Sequence, residues 1–257
     1  AYGWRYIFLP ALAIVPIAFI IARALPESAR FVAQAKEYTA DQKGVWDLSA
    51  WTAKLQVLWE PALRGRTTWC LLLFFFQGGA YAGTAFYFPT FFSVVHGYSE
   101  REAAEIVGLS YGIGVIGYIA VAIIGEFFMT RRNTVLGCMV FGTAALAGLI
   151  WIPQTYGENI LWFGAMTMTF YASAAAMWAL AAELFPTRAR ATASAVMLAG
   201  GLLSFATFPL GVSYLVEFIS WREAFTWAAV PAAIVATLAA AMLPSLKSGL
   251  DIDEIAV

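Results

Sequence analysis

Seven runs of apolar residues alternate along the chain with polar intervals: 6–25, 68–95, 106–125, 133–152, 159–182, 191–216 and 224–243. Each is long enough to cross a hydrocarbon core of about 30 Å as a helix. Six hold no charged residue, and the first holds only Arg23 near its end. Polar positions do not recur at every second residue, and the runs are about twice the length of a barrel strand. The pattern predicts an all-α integral membrane protein with seven transmembrane helices.

The polar intervals differ in length. The longest, 26–66, has mixed charge and ends in an amphipathic stretch from Trp46 to Arg66 that includes Trp51, Leu55, Leu58 and Trp59, which predicts a short helix lying at the membrane interface. The loops at 130–132 and 183–190 are short and basic, and 153–158 is short.

The first and last runs share an opening. Gly3-Trp4-Arg5 with Phe8 leads into a run ending at Leu25-Pro26, and Ser220-Trp221-Arg222 with Phe225 leads into one ending at Leu243-Pro244. A Trp beside an Arg is a common interfacial anchor, but equivalent first and last helices are also expected of two six-helix halves built as a parallel repeat. On the repeat reading, residues 1–25 are the last helix of an N-terminal half. Residues 26–66 are then the linker between halves, and 67–257 a C-terminal six-helix bundle with a short tail. No methionine, basic segment or cleavage site precedes the first run, so the chain reads as beginning inside a longer protein whose N-terminal half would be its partner.

Composition agrees with the class. Hydrophobic residues make up 61% of the chain and charged residues 12%, and the mean hydropathy is +0.75, far from a soluble domain. Charge sets the orientation, because Lys and Arg accumulate in cytoplasmic loops. With the N-terminus outside, twelve of the 15 basic residues fall at inner ends and loops, leaving Arg5, Arg101 and Arg222 outside. The C-terminus is then cytoplasmic and the protein sits in the plasma (inner) membrane. A net charge of −1 gives no case for a nucleic-acid partner. Cys70 and Cys138 lie near inner ends of spans, where no disulfide is expected. The single His96 excludes a His-rich metal site, and no cofactor is predicted.

Three motifs carry a family resemblance. They are Leu25-Pro26-Glu27-Ser28-Ala29-Arg30 after the first span, Gly125-Glu126 to Arg131-Arg132 between the third and fourth, and Glu183-Leu184-Phe185-Pro186-Thr187-Arg188-Ala189-Arg190 between the fifth and sixth. Together they resemble the Major Facilitator Superfamily, and within it the sugar-porter and metabolite:proton-symporter branches. The first is similar to a Pro-Glu-Ser-Pro-Arg motif with Ala29 for the second Pro. The last is similar to Glu-x-x-Pro-x-x-x-Arg. The middle one is a degenerate, one-residue-shorter form of Gly-x-x-x-Asp-Arg-x-Gly-Arg-Arg. Gln77 and Tyr87 match positions of the sugar-porter helix-seven motif and Trp178 its helix-ten Trp, whereas Ala82 and the stretch Ala174 to Met177 depart from that pattern. The resemblance implies helices six to twelve of a secondary transporter, with a sugar or an organic acid as solute and with proton coupling.

The residues point the same way without the family. The second span carries Gln77, Gly78, Gly79, Tyr81, Gly83, Tyr87 and Pro89; Gly pairs and Pro weaken a helix, and broken helices line transporter cavities. The third span carries Gly108, Gly112, Gly114 and Gly117 with Tyr111 and Tyr118, including a Gly-x-x-x-Gly spacing suited to close helix approach. Gln77, Tyr81, Tyr87, Tyr111, Tyr171 and Trp178 are the expected solute-path residues. Glu27, Glu126 and Glu183 contribute little to topology, yet each sits near Arg at an inner helix end. With Arg30, Arg131, Arg132, Arg188 and Arg190 they read as ion-pair partners, and the resemblance to the superfamily implies that these pairs form a cytoplasmic gate.

Rival classes fit less well. A retinal protein needs a Lys inside its last span, and every Lys here lies in a loop. A seven-helix receptor needs no Glu-x-x-Pro-x-x-x-Arg loop. No Ser/His, Cys/His or metal-ligating cluster supports an enzyme, and no ring of charge a channel. An uncoupled, facilitative carrier of the same fold stays open, because no carboxylate lies mid-span.

Overall fold

A computed structural model describes residues 12, 14–24 and 48–245. The chain falls into two compact units, Ala1–Trp51 and Thr52–Val257. In the first unit, helix α1 (Ile14–Ala24) is apolar apart from Arg23, whose guanidinium stacks on Phe19, 4.5 Å from the ring centroid. The rest of the 6–25 run, the repeat element at Trp4-Arg5, and Glu27 and Arg30 lie outside the described residues.

Helix α2 (Leu48–Leu58) leads into the second unit. Its last carbonyl, that of Leu58, accepts a hydrogen bond from the buried Thr67 hydroxyl at 2.8 Å, and Leu58 and Leu63 are both buried. Residues 48–63 therefore form a helix and a tight turn that is packed onto the next helix.

The 68–95 run forms two helices, α3 (Arg64–Ala85) and α4 (Phe88–His96), bent by 52°. Pro89 lies in the first turn of α4, where its missing N–H is harmless and its ring blocks continuation from α3. The paired glycines do not cause the break. A Cβ on Gly78 would lie 2.6 Å from Ser204 Oγ and one on Gly79 2.4 Å from the Phe208 ring; they are the seam on which another helix packs.

The remaining spans are α5 (Glu100–Ile123), continued by a wide turn over Ile124–Phe128; α6 (Arg131–Trp151); α7 (Tyr156–Met166), continued through a wide turn over Thr167–Tyr171 into α8 (Ser173–Leu184); α9 (Thr187–Leu215); and α10 (Trp221–Met242). Among the described residues five helices are long and apolar enough to cross a membrane, or six if α3 and α4 make one span. The seventh expected span is represented by the eleven residues of α1.

Side-chain chemistry marks the helix starts. Ser99 with Glu102, Thr155 with Glu158 and Ser220 with Glu223 are capping boxes that satisfy the first amides of α5, α7 and α10. These starts share one end of the bundle, and Arg64, Arg66, Arg131, Arg132, Arg188 and Arg190 share the other.

Close contacts give the arrangement. Gly200 of α9 meets Leu71, and Phe208 and Val212 meet Gly83 further along α3, so α3 and α9 run parallel. Helix α10 runs against α6, with Trp151 bonded to Thr226 at 2.9 Å and Thr143 to Thr237 at 3.3 Å. Beneath α4, Phe88, Phe91, Phe92, Phe163 and Phe225 form a fully buried aromatic knot in which Phe91 stacks on Phe225 at 4.6 Å. Outward-facing residues such as Phe127, Leu161 and Trp227 are apolar and more than two-thirds exposed, a surface suited to lipid.

The Gly-x-x-x-Gly expectation needs correction. A Cβ on Gly108 or Gly112 would meet nothing within 4 Å, whereas at Gly114 and Gly117 it would run into the Thr167–Tyr171 turn. Close approach takes place two and five residues beyond Gly112, on the other face of the helix.

Candidate functional site

A cavity of about 350 Å3 opens between α3, α8 and α9. Helical spacing builds each wall. Phe74, Gln77, Gly78 and Tyr81 come from successive turns of α3; Ala174, Met177 and Trp178 come from α8, with Tyr171 at the end of the wide turn before it; Met197, Leu198, Gly201, Leu202 and Phe205 come from α9; and Tyr118 reaches in from α5. Among the described residues no charged side chain lines it. The aromatic side chains brace one another: Trp178 meets Phe74 edge-on at 4.7 Å, Tyr81 meets Tyr171 edge-on at 4.3 Å, and Tyr81 stacks on Phe205 at 5.6 Å.

The polar groups on this wall are left for something else. Gln77 is 7% exposed, and its carboxamide takes no part in the hydrogen bonds that tie the described helices together. The Tyr171 hydroxyl is buried without a hydrogen-bond partner. A polar group without a protein partner is costly unless water or a bound molecule completes it, and such a molecule can reach the Gln77 amide from the cavity that it lines.

The six expected solute-path residues thus divide. Gln77, Tyr81, Tyr171 and Trp178 share the cavity. Tyr111 stands behind it, stacked on Tyr171 at 6.0 Å. Tyr87 sits at the α3–α4 break, 5.8 Å from the Trp221 ring.

At the basic end, Arg131 joins two carboxylates, those of Glu126 and Glu183. Arg131 and Glu183 are partly buried, with side chains 20% and 26% exposed, and Glu126 is open to solvent. Arg188 pairs instead with Glu60 at 2.8 Å, an acid just after α2 that sequence reasoning did not single out. Arg132 donates to Asn133 and to the carbonyl of Ala241 at the end of α10. Arg66 donates to the Leu184 carbonyl at 3.2 Å, and the buried Arg190 Nε has no partner. A second cavity, also about 350 Å3, lies beside the Arg131 triad between the end of α5 and Ala175 and Ala176 of α8.

The sequence model of the Major Facilitator Superfamily matches residues 1–180. The chain belongs to this superfamily. A search of curated proteins finds no match. As a superfamily member the chain is an integral membrane protein of solute transport, and the family is one of carriers rather than enzymes.

The superfamily motifs guided attention to loops and long-range pairs, and they bypassed several cavity residues. Phe74, Met197 and Phe205 line the site, yet in a span where most residues are apolar nothing distinguishes a cavity-facing Phe from a lipid-facing one. Tyr118, polar in mid-span and named with Tyr111 in the third span, does line it.

Among the described residues no group of three His, Cys, Asp or Glu side chains converges to hold a metal.

Proposed function

We propose that the protein is a secondary transporter of a small, uncharged polar solute such as a sugar, working by alternating access, with the α3–α8–α9 cavity as its half of the solute site. The observation that carries this reading is a cavity wall of aromatic faces with the neutral amide of Gln77 and the phenols of Tyr81 and Tyr118 among them, and no charged side chain among its described lining. Aromatic rings suit the apolar faces of a sugar, and an amide and phenols suit its hydroxyls. An organic acid would bring a carboxylate into a wall that offers it no cation.

Resemblance to the metabolite:proton symporters supports proton coupling. No Asp or Glu lines the cavity, so a coupling acid belongs to residues beyond this wall. The uncoupled carrier is the second reading, and that same absence favours it.

In this proposal the basic ends of the helices are cytoplasmic, following the charge rule, in a plasma membrane. The Arg131–Glu126–Glu183 triad is a gate element that favours the outward-open state. Residues 26–66 link this bundle to a preceding half whose last helix is residues 1–25.

The test is uptake by the full-length protein in proteoliposomes, across labelled sugars, polyols and organic acids, with and without an inward proton gradient. Saturable uptake of a neutral solute supports the proposal, and stimulation by the gradient selects symport. Transport confined to organic acids would overturn the uncharged-solute reading.

A further inference from the structure

The span Tyr156–Leu184 is not a uniform helix. Over Thr167–Tyr171 the turn widens, and the Ala172 amide donates five residues back to the Thr167 carbonyl at 3.1 Å. Two neighbouring helices hold it from opposite partners. A Cβ on Gly117 of α5 would lie 2.4 Å from the Cα and the carbonyl oxygen of Met168, and a Cβ on Gly142 of α6 would lie 2.6 Å from the N and Cα of Phe170. Real side chains do not approach backbone this closely, so the wide turn fits only because both positions are glycine. Hydroxyls in the span donate to its own carbonyls, Thr169 to Ala165 at 2.7 Å and Ser173 to Phe170 at 2.6 Å, while the Thr167 hydroxyl is shared between the Gly164 carbonyl at 2.9 Å and the Ser110 carbonyl of α5 at 2.8 Å.

A wide turn takes up one residue without advancing the helix, which rotates everything after it by about 100° relative to an uninterrupted α-helix. The face so rotated is the one that carries Ala174, Met177 and Trp178 to the cavity. Tyr171, the last residue of the turn, is 3% exposed; it lines the cavity, while its hydroxyl is buried out of reach of solvent beside Thr84, Tyr81 and Tyr111.

We propose that the glycine-held turn sets the specificity of the solute site: Gly117 and Gly142 are positioning residues that fix the rotation of α8, and through it they present Ala174, Met177 and Trp178 to the solute. This rests on reading the cavity as the solute site.

The test reads rotation directly. In the full-length protein with its cysteines replaced by alanine, Phe74→Cys is paired with Trp178→Cys or with Met177→Cys and treated with a short bis-thiosulfonate. The Phe74 and Trp178 rings are 4.7 Å apart, so position 178 is the favoured partner in the parent. Gly117→Ala closes the wide turn and advances α8 by one residue, which moves the favoured partner to 177. Deleting Thr169 in the Gly117→Ala background removes the surplus residue and returns it to 178. Gly112→Ala, which meets no neighbour, leaves 178 favoured.

Retention of 178 in Gly117→Ala, or failure of the deletion to restore it, would overturn the proposal. Gly117→Ala is then assayed for uptake of radiolabelled glucose, xylose, inositol and lactate. For the transported probe KM rises about threefold or more, the effect of at least one lost solute contact, and deleting Thr169 in that background restores it. Unchanged KM in Gly117→Ala removes the control of specificity. Absence of saturable uptake of every probe by the unmutated protein counts against the cavity reading itself, while the crosslinks still report on the turn.

Discussion

The Tyr87 hydroxyl donates to the carbonyl oxygen of Pro209 at 3.1 Å, tying the break between α3 and α4 to the proline inside α9. Each residue marks an irregularity in its own span: Tyr87 is the residue before α4, and Pro209 removes an amide from the ladder of α9. Replacing Tyr87 with Phe keeps the ring beside Trp221 and removes only the hydrogen bond. The expected loss is about 0.6 kcal/mol, the average for polar contacts between membrane helices, read as a small drop in thermal stability in detergent. If the bond also sets the bend, kcat for transport changes while KM does not.

Gln77→Ala is expected to raise the transport KM with membrane abundance and thermal stability unchanged. The amide makes no bond between helices whose loss would weaken the bundle. An unchanged KM would exclude solute contact at this position.

Arg131 bridges Glu126 and Glu183 beside the second cavity, which Ala175 lines. Exposed ion pairs are worth about 0–1 kcal/mol, but a shared, partly buried pair biases an equilibrium between states only a few kcal/mol apart. Glu183→Gln should therefore speed the reaction of an Ala175→Cys thiol with a polar reagent added from the basic side. Equal rates in the two backgrounds would make these charges determinants of topology alone.

Gly79→Ala forces the Phe208 ring to move, and that ring is held by Phe75 at 5.8 Å and Phe76 at 6.4 Å. The expected cost is about 1–3 kcal/mol, the usual penalty for overpacking. Phe208→Ala in the same chain should relieve part of it. Thermal unfolding in detergent measures both, and Gly112→Ala serves as the neutral comparison.

Span positions were readable because a bilayer demands unbroken apolar length. The 133–152 run became Arg131–Trp151, and 191–216 became Thr187–Leu215. The site was readable only where polarity stood out against that background, as at Gln77, Tyr81 and Tyr171. Glycine spacing misled, since Gly108 and Gly112 satisfy the motif yet face open space, while Gly114 and Gly117 make the contact. Spacing alone cannot tell which face of a helix meets a neighbour. The wide turn at Thr167–Tyr171 left no trace that periodicity could register, because one surplus residue in a stretch apolar on all sides changes no pattern. Glu60 as the partner of Arg188 depends on how the turn after α2 folds back, which local sequence does not determine.

The capping boxes at Thr155 and Ser220, set against Arg131 and Arg132 at the other end, also act as a ruler. Helix α6 has 21 residues between its two wet ends, about 31 Å at 1.5 Å per residue, and Arg132 clasps the far end of α10 through the Ala241 carbonyl. Neither end can slide without pulling a charge or a bare amide into hydrocarbon. The bundle is thereby matched to a bilayer of ordinary hydrophobic thickness, and a thinner membrane would be met by tilting of the helices.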